Sequence, residues 1–124
     1  MASNPRSKSP GVRAQYDRAA AAVPVLTVLN YGFSTDPEQS VIPAEEPEFY
    51  CLRLYEHTLR DTPLEGADVL EVSCGRGGGA GFVSRAFAPR RYVGVDLSDA
   101  NVQLARARAG SERLEFHVGS AEDL

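Results

Sequence analysis

The 124-residue sequence has only two cysteines, Cys51 and Cys74, and neither belongs to a disulfide-dense pattern. Both are expected as reduced thiols in the cytoplasm. Basic residues are not in excess: 13 Lys and Arg stand against 17 Asp and Glu, a formal charge of −4. A domain of that sign is not expected to bind nucleic acid by neutralising phosphates. Long hydrophobic runs are missing as well. The longest apolar stretch, Ala19 to Leu29, is interrupted by Pro24 and Thr27 and falls short of the ~20 residues that cross a bilayer. Met1 to Gly11 lacks the apolar core of a secretory signal.

What is present suits one packed domain. Hydrophobic residues make up 43% and charged residues 24%, ordinary proportions for a folded chain of this length. Residues 1–13 collect Ser, Pro, Lys and Arg with almost no large apolar side chains, and are expected as a disordered tail. Residues 14–63 predict an N-terminal helical cap region. It comprises a helix from Tyr16 to Leu29 broken at Pro24, a turn-rich stretch from Asn30 to Pro37, and a helix from about Pro47 to Arg60. In the last of these Leu52, Tyr55 and Leu59 recur at helical spacing.

After Pro63 the texture changes. Asp68-Val69-Leu70-Glu71-Val72 is a short apolar run that stops at a glycine cluster, as a buried parallel strand does. Gly79 to Ala88 predicts a helix ended by Pro89, and Arg91 to Asp96 a second strand. Ser98 is placed to cap a helix running to about Ala109, with Asp99 in its first turn, Arg106 and Arg108 in its last, and Gly110 at its stop. Leu114 to Val118 reads as a third strand. The order β-α-β-α-β predicts an α/β fold: the first half of a Rossmann-like doubly wound parallel sheet, strand order 3-2-1.

In such a sheet the first strand ends in a crevice, where a glycine turn lets backbone amides and a helix N-terminus approach a ligand. Gly75, Gly77, Gly78 and Gly79 supply that turn. Asp96, at the end of the second strand, is placed to accept the ribose hydroxyls of an adenosine ligand or to cap the following helix; the two roles are compatible. Gly75-Arg76-Gly77-Gly78-Gly79-Ala80 also satisfies the dinucleotide pattern G-x-G-x-x-G/A. Glu71 separates the two cofactor classes. A carboxylate in the crevice repels a diphosphate and attracts S-adenosylmethionine (SAM), which carries a sulfonium and an ammonium.

These residues carry a resemblance. Val69 to Gly77 resembles the first motif of class I SAM-dependent methyltransferases, Val93 to Ser98 their second, and Gly119 to Leu124 is similar to their adenine-binding loop. The texture is nearest to bacterial methyltransferases acting on phthiotriolone-type lipids and related polyketides, in which an Asn-x-x-aromatic segment, here Asn30 to Phe33, precedes the run. The resemblance covers roughly residues 30–124 and makes 64–124 the SAM-binding half of the domain. It implies that Glu71 faces the methionyl end of SAM, that Gly75 and Gly77 line it, and that Asp96 holds the ribose. It also implies that Leu97 packs beside the adenine and Ala121 contacts its edge. Ser73 replaces the family's usual first glycine, and Ser120 stands where an acid often meets the adenine amine, leaving Glu122 as its candidate substitute.

The remaining candidates read as structural. Cys74 has no His or Asp placed to activate it, and His57 and His117 are expected as surface residues of a helix and a strand. Tyr16 and Tyr31 are candidates either for closing over the cofactor or for ordinary packing. No metal site and no catalytic base are assigned. In this fold the base and substrate residues usually come from the fourth strand onward, and that strand lies beside the first. The first strand is therefore expected as an open edge, in a fragment or in a chain completed by self-association or a partner chain. The function expected is transfer of a methyl group from SAM to a small-molecule, lipid or polyketide acceptor. The alternative is a non-catalytic or incomplete module binding SAM or NAD.

Overall fold

Three short apolar runs line up as one parallel sheet in the computed structural model, which describes residues 10–23 and 25–124. They are β1 (Asp68–Val72), β2 (Arg91–Asp96) and β3 (Leu114–Val118), with β2 in the middle, the expected 3-2-1 order. Leu70 lies opposite Val93, and Val93 opposite Glu115. Helices α3 (Gly78–Ala86) and α4 (Asp99–Ala109) make the crossovers. Because side chains alternate along a strand, one face carries Val69, Tyr92, Leu114 and Phe116 into a core with Ala80 and Val83 of α3 and Val102 and Ala105 of α4. The other face leaves Leu70 55% and Val72 39% exposed.

α4 ends as its residues dictate. The Ser98 hydroxyl accepts the Asn101 amide at 3.2 Å, Asp99 lies in the first turn and Arg106 and Arg108 in the last. α3 stops at Ala86, two residues before the expected end, because Ala88 turns left-handed (φ 48°) and its carbonyl accepts the Gly66 amide at 3.0 Å.

The N-terminal region departs further from expectation. α1 spans Pro10–Ala22, so residues 10–13, expected in the tail, are helical, and the helix stops well short of Leu29. The rest of the expected tail, residues 1–9, and the break at Pro24 lie outside the described residues. α2 is Phe49–Leu59, starting two residues after Pro47. Pro47 occupies a turn closed by the Phe49 amide on the Glu46 carbonyl at 3.0 Å, and Glu48 adopts a left-handed conformation (φ 64°). Residues 25–29 cross the glycine turn as an irregular strap, and a short 3-10 turn, Pro37–Gln39, precedes α2. No helix among the described residues is long and apolar enough to cross a membrane.

Candidate cofactor site

The chain leaves β1 through Ser73, which takes a left-handed conformation (φ 61°) that costs a non-glycine residue roughly 1–2 kcal/mol. The Cys74 amide then bonds the Val95 carbonyl at 3.1 Å, and Gly75 and Gly77 turn left-handed again at φ 58° and 82°. The two glycines serve different ends. A Cβ at Gly77 would sit 2.9 Å from both the Ala105 Cβ and the Phe116 Cζ, so this glycine lets the turn pack on α4 and β3. A Cβ at Gly75 would meet only the Leu29 Cδ1, at 3.7 Å, which leaves this side of the turn open enough for a ligand.

Asp96 is brought directly to that turn. Its Oδ2 accepts the Gly75 amide at 2.8 Å, and its Oδ1 accepts the Ser98 amide at 2.9 Å and the Asn101 Nδ2 at 3.4 Å. The helix-cap role and the turn-holding role therefore coexist in one buried carboxylate. Leu97, half-buried, follows it. The Gly119 amide donates to the Asp96 carbonyl at 2.9 Å, which ties the start of the last loop to the crevice. Beyond it Ala121 and Glu122 are exposed, and the Glu122 amide bonds the Ser120 hydroxyl at 3.2 Å.

Glu71 points into the helical layer rather than into open water. Its Oε1 accepts the Tyr55 hydroxyl and its Oε2 the Tyr92 hydroxyl, each at 2.8 Å. Burial pushes the Glu71 carboxyl above its ordinary value, the two phenol bonds pull it back, and the Asp96 charge pushes it up. Both tyrosines are themselves pushed up, first by burial and then by Glu71. The Cys74 thiol is pushed up to about 12, chiefly by burial, with Glu71 and Asp96 adding to it, so it is held as an inert thiol. Cys51 and Cys74 are both unpaired. A groove of about 470 Å³ runs along the free edge of β1, lined by Asn30, Leu54, Tyr55, Glu71 and Val72 among others.

The other candidates lie away from this centre. Tyr31 is fully exposed and Tyr16 is half-exposed. The His57 ring stacks on Phe33 with centroids 3.9 Å apart, and His117 pairs with Glu115 at 3.3 Å on the outer face of the sheet.

Several residues that shape the crevice carry no sequence signal of their own. Arg76, inside the glycine run, is 2% exposed; its guanidinium donates to the Val23 carbonyl, to the Leu26 carbonyl at 3.1 Å and to the Asn101 Oδ1 at 3.4 Å. It fastens the strap over the turn. Glu48 holds the same strap by accepting the Thr27 and Val28 amides at 2.8 and 2.9 Å and the Thr27 hydroxyl. The Thr27 carbonyl in turn accepts the Gly78 amide at 3.0 Å, at the N-terminus of α3. Asp17 of α1 accepts the Ser98 hydroxyl and, at 3.4 Å, the Ala100 amide, which latches α1 to the start of α4. Asn30 closes the strap onto α2: its Nδ2 donates to the Cys51 carbonyl at 3.1 Å, and the Phe33 amide bonds the Tyr50 carbonyl at 2.8 Å.

Comparison with known proteins bears on this geometry. The family described as "Methyltransferase domain" matches residues 69–124. The fatty-acid O-methyltransferase of Mycolicibacterium smegmatis is 41% identical over 101 residues, which cover 80% of this chain and 37% of that protein. The phthiotriol/phenolphthiotriol dimycocerosates methyltransferase of Mycobacterium leprae is 39% identical over 102 residues, with the same two shares. The chain thus spans little more than a third of the length of the curated relatives it matches. Among solved structures, the geranyl diphosphate C-methyltransferase of Streptomyces coelicolor, in complex with Mg²⁺, geranyl diphosphate and S-adenosyl-L-homocysteine, shares the fold. Its TM-score is 0.70 at 17% identity, covering 100% of this chain and 51% of that one.

Fold and crevice together define the adenosine-cofactor half of a Rossmann-like domain. Residues 69–124 carry the methyltransferase domain, and the chain shares the lineage of SAM-dependent methyltransferases, whose cofactor is SAM, over little more than a third of its relatives' length.

Proposed function

We propose that the chain binds SAM against the open side of the glycine turn, beside Asp96, and that the enzyme it represents methylates a small-molecule, lipid or polyketide acceptor. The observation that carries the reading is the 2.8 Å bond from the Gly75 amide to Asp96, which joins the turn to the acid suited to a ribose, beside a face where a Cβ meets only Leu29. In this reading Asp96 holds the ribose hydroxyls, Gly75 and Gly77 line the cofactor and Ser73 carries the chain into the turn. Glu71 faces the cationic methionyl end, Leu97 packs beside the adenine, and Ala121 and Glu122 meet its edge. SAM supplies the methyl group; these residues orient it.

A second feature argues against a dinucleotide. The N-terminus of α3, where a diphosphate would sit, is filled by the Thr27 carbonyl on the Gly78 amide, with the Glu48 carboxylate bonded to Thr27 behind it. The Gly78 amide is therefore not free to bind an anion.

The lipid part of the proposal is supported by the named activities of the two relatives. The exposed Leu70 and Val72 on the edge strand β1 favour a further strand beside it in the working enzyme, from the rest of a longer chain, a second copy or a partner chain. The two free thiols suit work in the cytoplasm.

Calorimetric titration with SAM and with NAD tests the cofactor. SAM binding without NAD binding is expected, and the reverse overturns the reading. Methylation of a panel of fatty acids and hydroxylated lipids then tests catalysis; SAM binding with no turnover assigns the chain to an incomplete or non-catalytic module.

A further inference from the structure

Glu71 is a partly buried acid without a counter-ion: among the described residues no cation pairs with it. The titratable groups facing it are Tyr55 from α2, Tyr92 and Asp96 from β2 and the neutral thiol of Cys74 from the turn; the two phenols favour its charge and Asp96 works against it. Leaving water without a cation is costly unless hydrogen bonds replace the lost solvation. Each carboxylate oxygen has one such bond, from a phenol rooted in a different element. The Tyr92 ring is 2% exposed, and the Tyr55 ring lies against Gly79 in the first turn of α3, at a spot where any Cβ would displace it. The two rings are thus fixed by packing before they meet the acid.

We propose that Tyr55 and Tyr92 are positioning residues for this crevice, clamping the Glu71 carboxylate in one orientation and keeping it ionised for a cationic ligand. Through Tyr55 the clamp links the placement of α2 to the charge in the crevice. The ligand in this inference rests on the SAM reading above, whereas the clamp is a property of the free protein. A neutral Gln at position 71 would leave the phenols without a charge to hold, and a Phe at 55 or 92 would keep the ring and remove one bond.

The test uses the 124-residue protein and its Tyr55→Phe and Tyr92→Phe variants, with the Glu71 signal assigned by its loss in Glu71→Gln. Carboxyl carbon NMR follows Glu71 through a pH titration, and calorimetry follows SAM affinity across the same range. Each Phe variant is expected to raise the Glu71 midpoint by about one pH unit, the scale of one hydrogen bond to a charged group. The pH below which SAM affinity falls off is expected to move up with the midpoint, costing up to about tenfold below it and nothing well above it. An unchanged midpoint in both variants overturns the clamp, as does a loss of affinity that is the same at every pH, which packing alone would give. Should the wild-type protein fail to bind SAM while the midpoints shift, the SAM reading falls and the clamp stands.

Discussion

The amide of Gly75 donates to the Asp96 carboxylate at 2.8 Å, across 21 residues of chain, so the turn after β1 is held by the end of β2. The same carboxylate accepts the amide of Ser98 at 2.9 Å. Asp96→Ala orphans both donors and is expected to lower stability by about 3 kcal/mol, whereas Asp96→Asn keeps one acceptor oxygen and is expected to cost about 1 kcal/mol. Both should weaken SAM binding by more than tenfold, because the ribose loses its ionised acceptor. Urea unfolding and calorimetry read the two effects separately. Equal SAM affinity in Asp96→Asn and wild type would confine Asp96 to holding the turn.

That bond also marks how far local sequence reaches. β1, β2, β3 and α4 were legible because their signals are local: apolar runs stopped by glycine, Ser98 before a helix, Gly110 after it. Asp96 and Glu71 were legible as positions in a strand–turn–helix pattern. Tyr55 looked like one more apolar position on a helix, and nothing within its neighbourhood in sequence indicates that its hydroxyl meets Glu71, 16 residues away. Arg76 read as a spacer between glycines, yet its guanidinium reaches carbonyls 53 and 50 residues back along the chain. Asp17 and Ser98 are 81 residues apart. Such partners are set by tertiary packing, which overrides the composition that made residues 10–13 look like tail.

Glu71 carries a stability consequence opposite to that of most carboxylates. Its folded pKa lies above the ordinary 4.5, chiefly through burial, so the folded state binds a proton more readily than the unfolded chain. Its contribution is therefore most favourable below pH 4.5 and declines as pH rises from there through the raised folded value. Glu71→Gln removes this slope. The difference in unfolding free energy between variant and wild type is expected to grow in favour of the variant over that window, while the variant loses SAM affinity. A flat difference across the window would mean that Glu71 titrates as it does in the unfolded chain.

Asp17 works with the reverse sign. The Ser98 hydroxyl holds its carboxyl below the ordinary 3.8; burial is next and opposes it, and the Ala100 amide and Arg13 add smaller lowering effects. The latch is fully present above pH 3.8 and is lost as pH falls through the depressed folded value. Hydrogen exchange should show α1 losing protection in that acid range while β1, β2 and β3 keep theirs. Asp17→Asn should show the same loosening of α1 already at neutral pH. Protection of α1 unaltered in the variant would assign its docking to packing on α4 alone.

The left-handed turn can be dissected by three substitutions that differ in what a side chain meets. Ser73 stands at φ 61° with an exposed side chain, so Ser73→Gly removes strain without emptying a packed site and is expected to stabilise by about 1 kcal/mol. Gly75→Ala gains that strain, at φ 58°, but its Cβ meets only Leu29 at 3.7 Å, for an expected cost of about 1 kcal/mol. Gly77→Ala adds a Cβ 2.9 Å from Ala105 and Phe116 at φ 82°, so strain and overpacking sum to about 3 kcal/mol. Urea midpoints should therefore rank Ser73→Gly above wild type, then Gly75→Ala, then Gly77→Ala. SAM affinity should rank differently, because Gly75→Ala places its methyl on the open side of the turn and Ser73→Gly leaves that side untouched. A Gly75→Ala variant that binds SAM as wild type does would move the cofactor off this face of the turn.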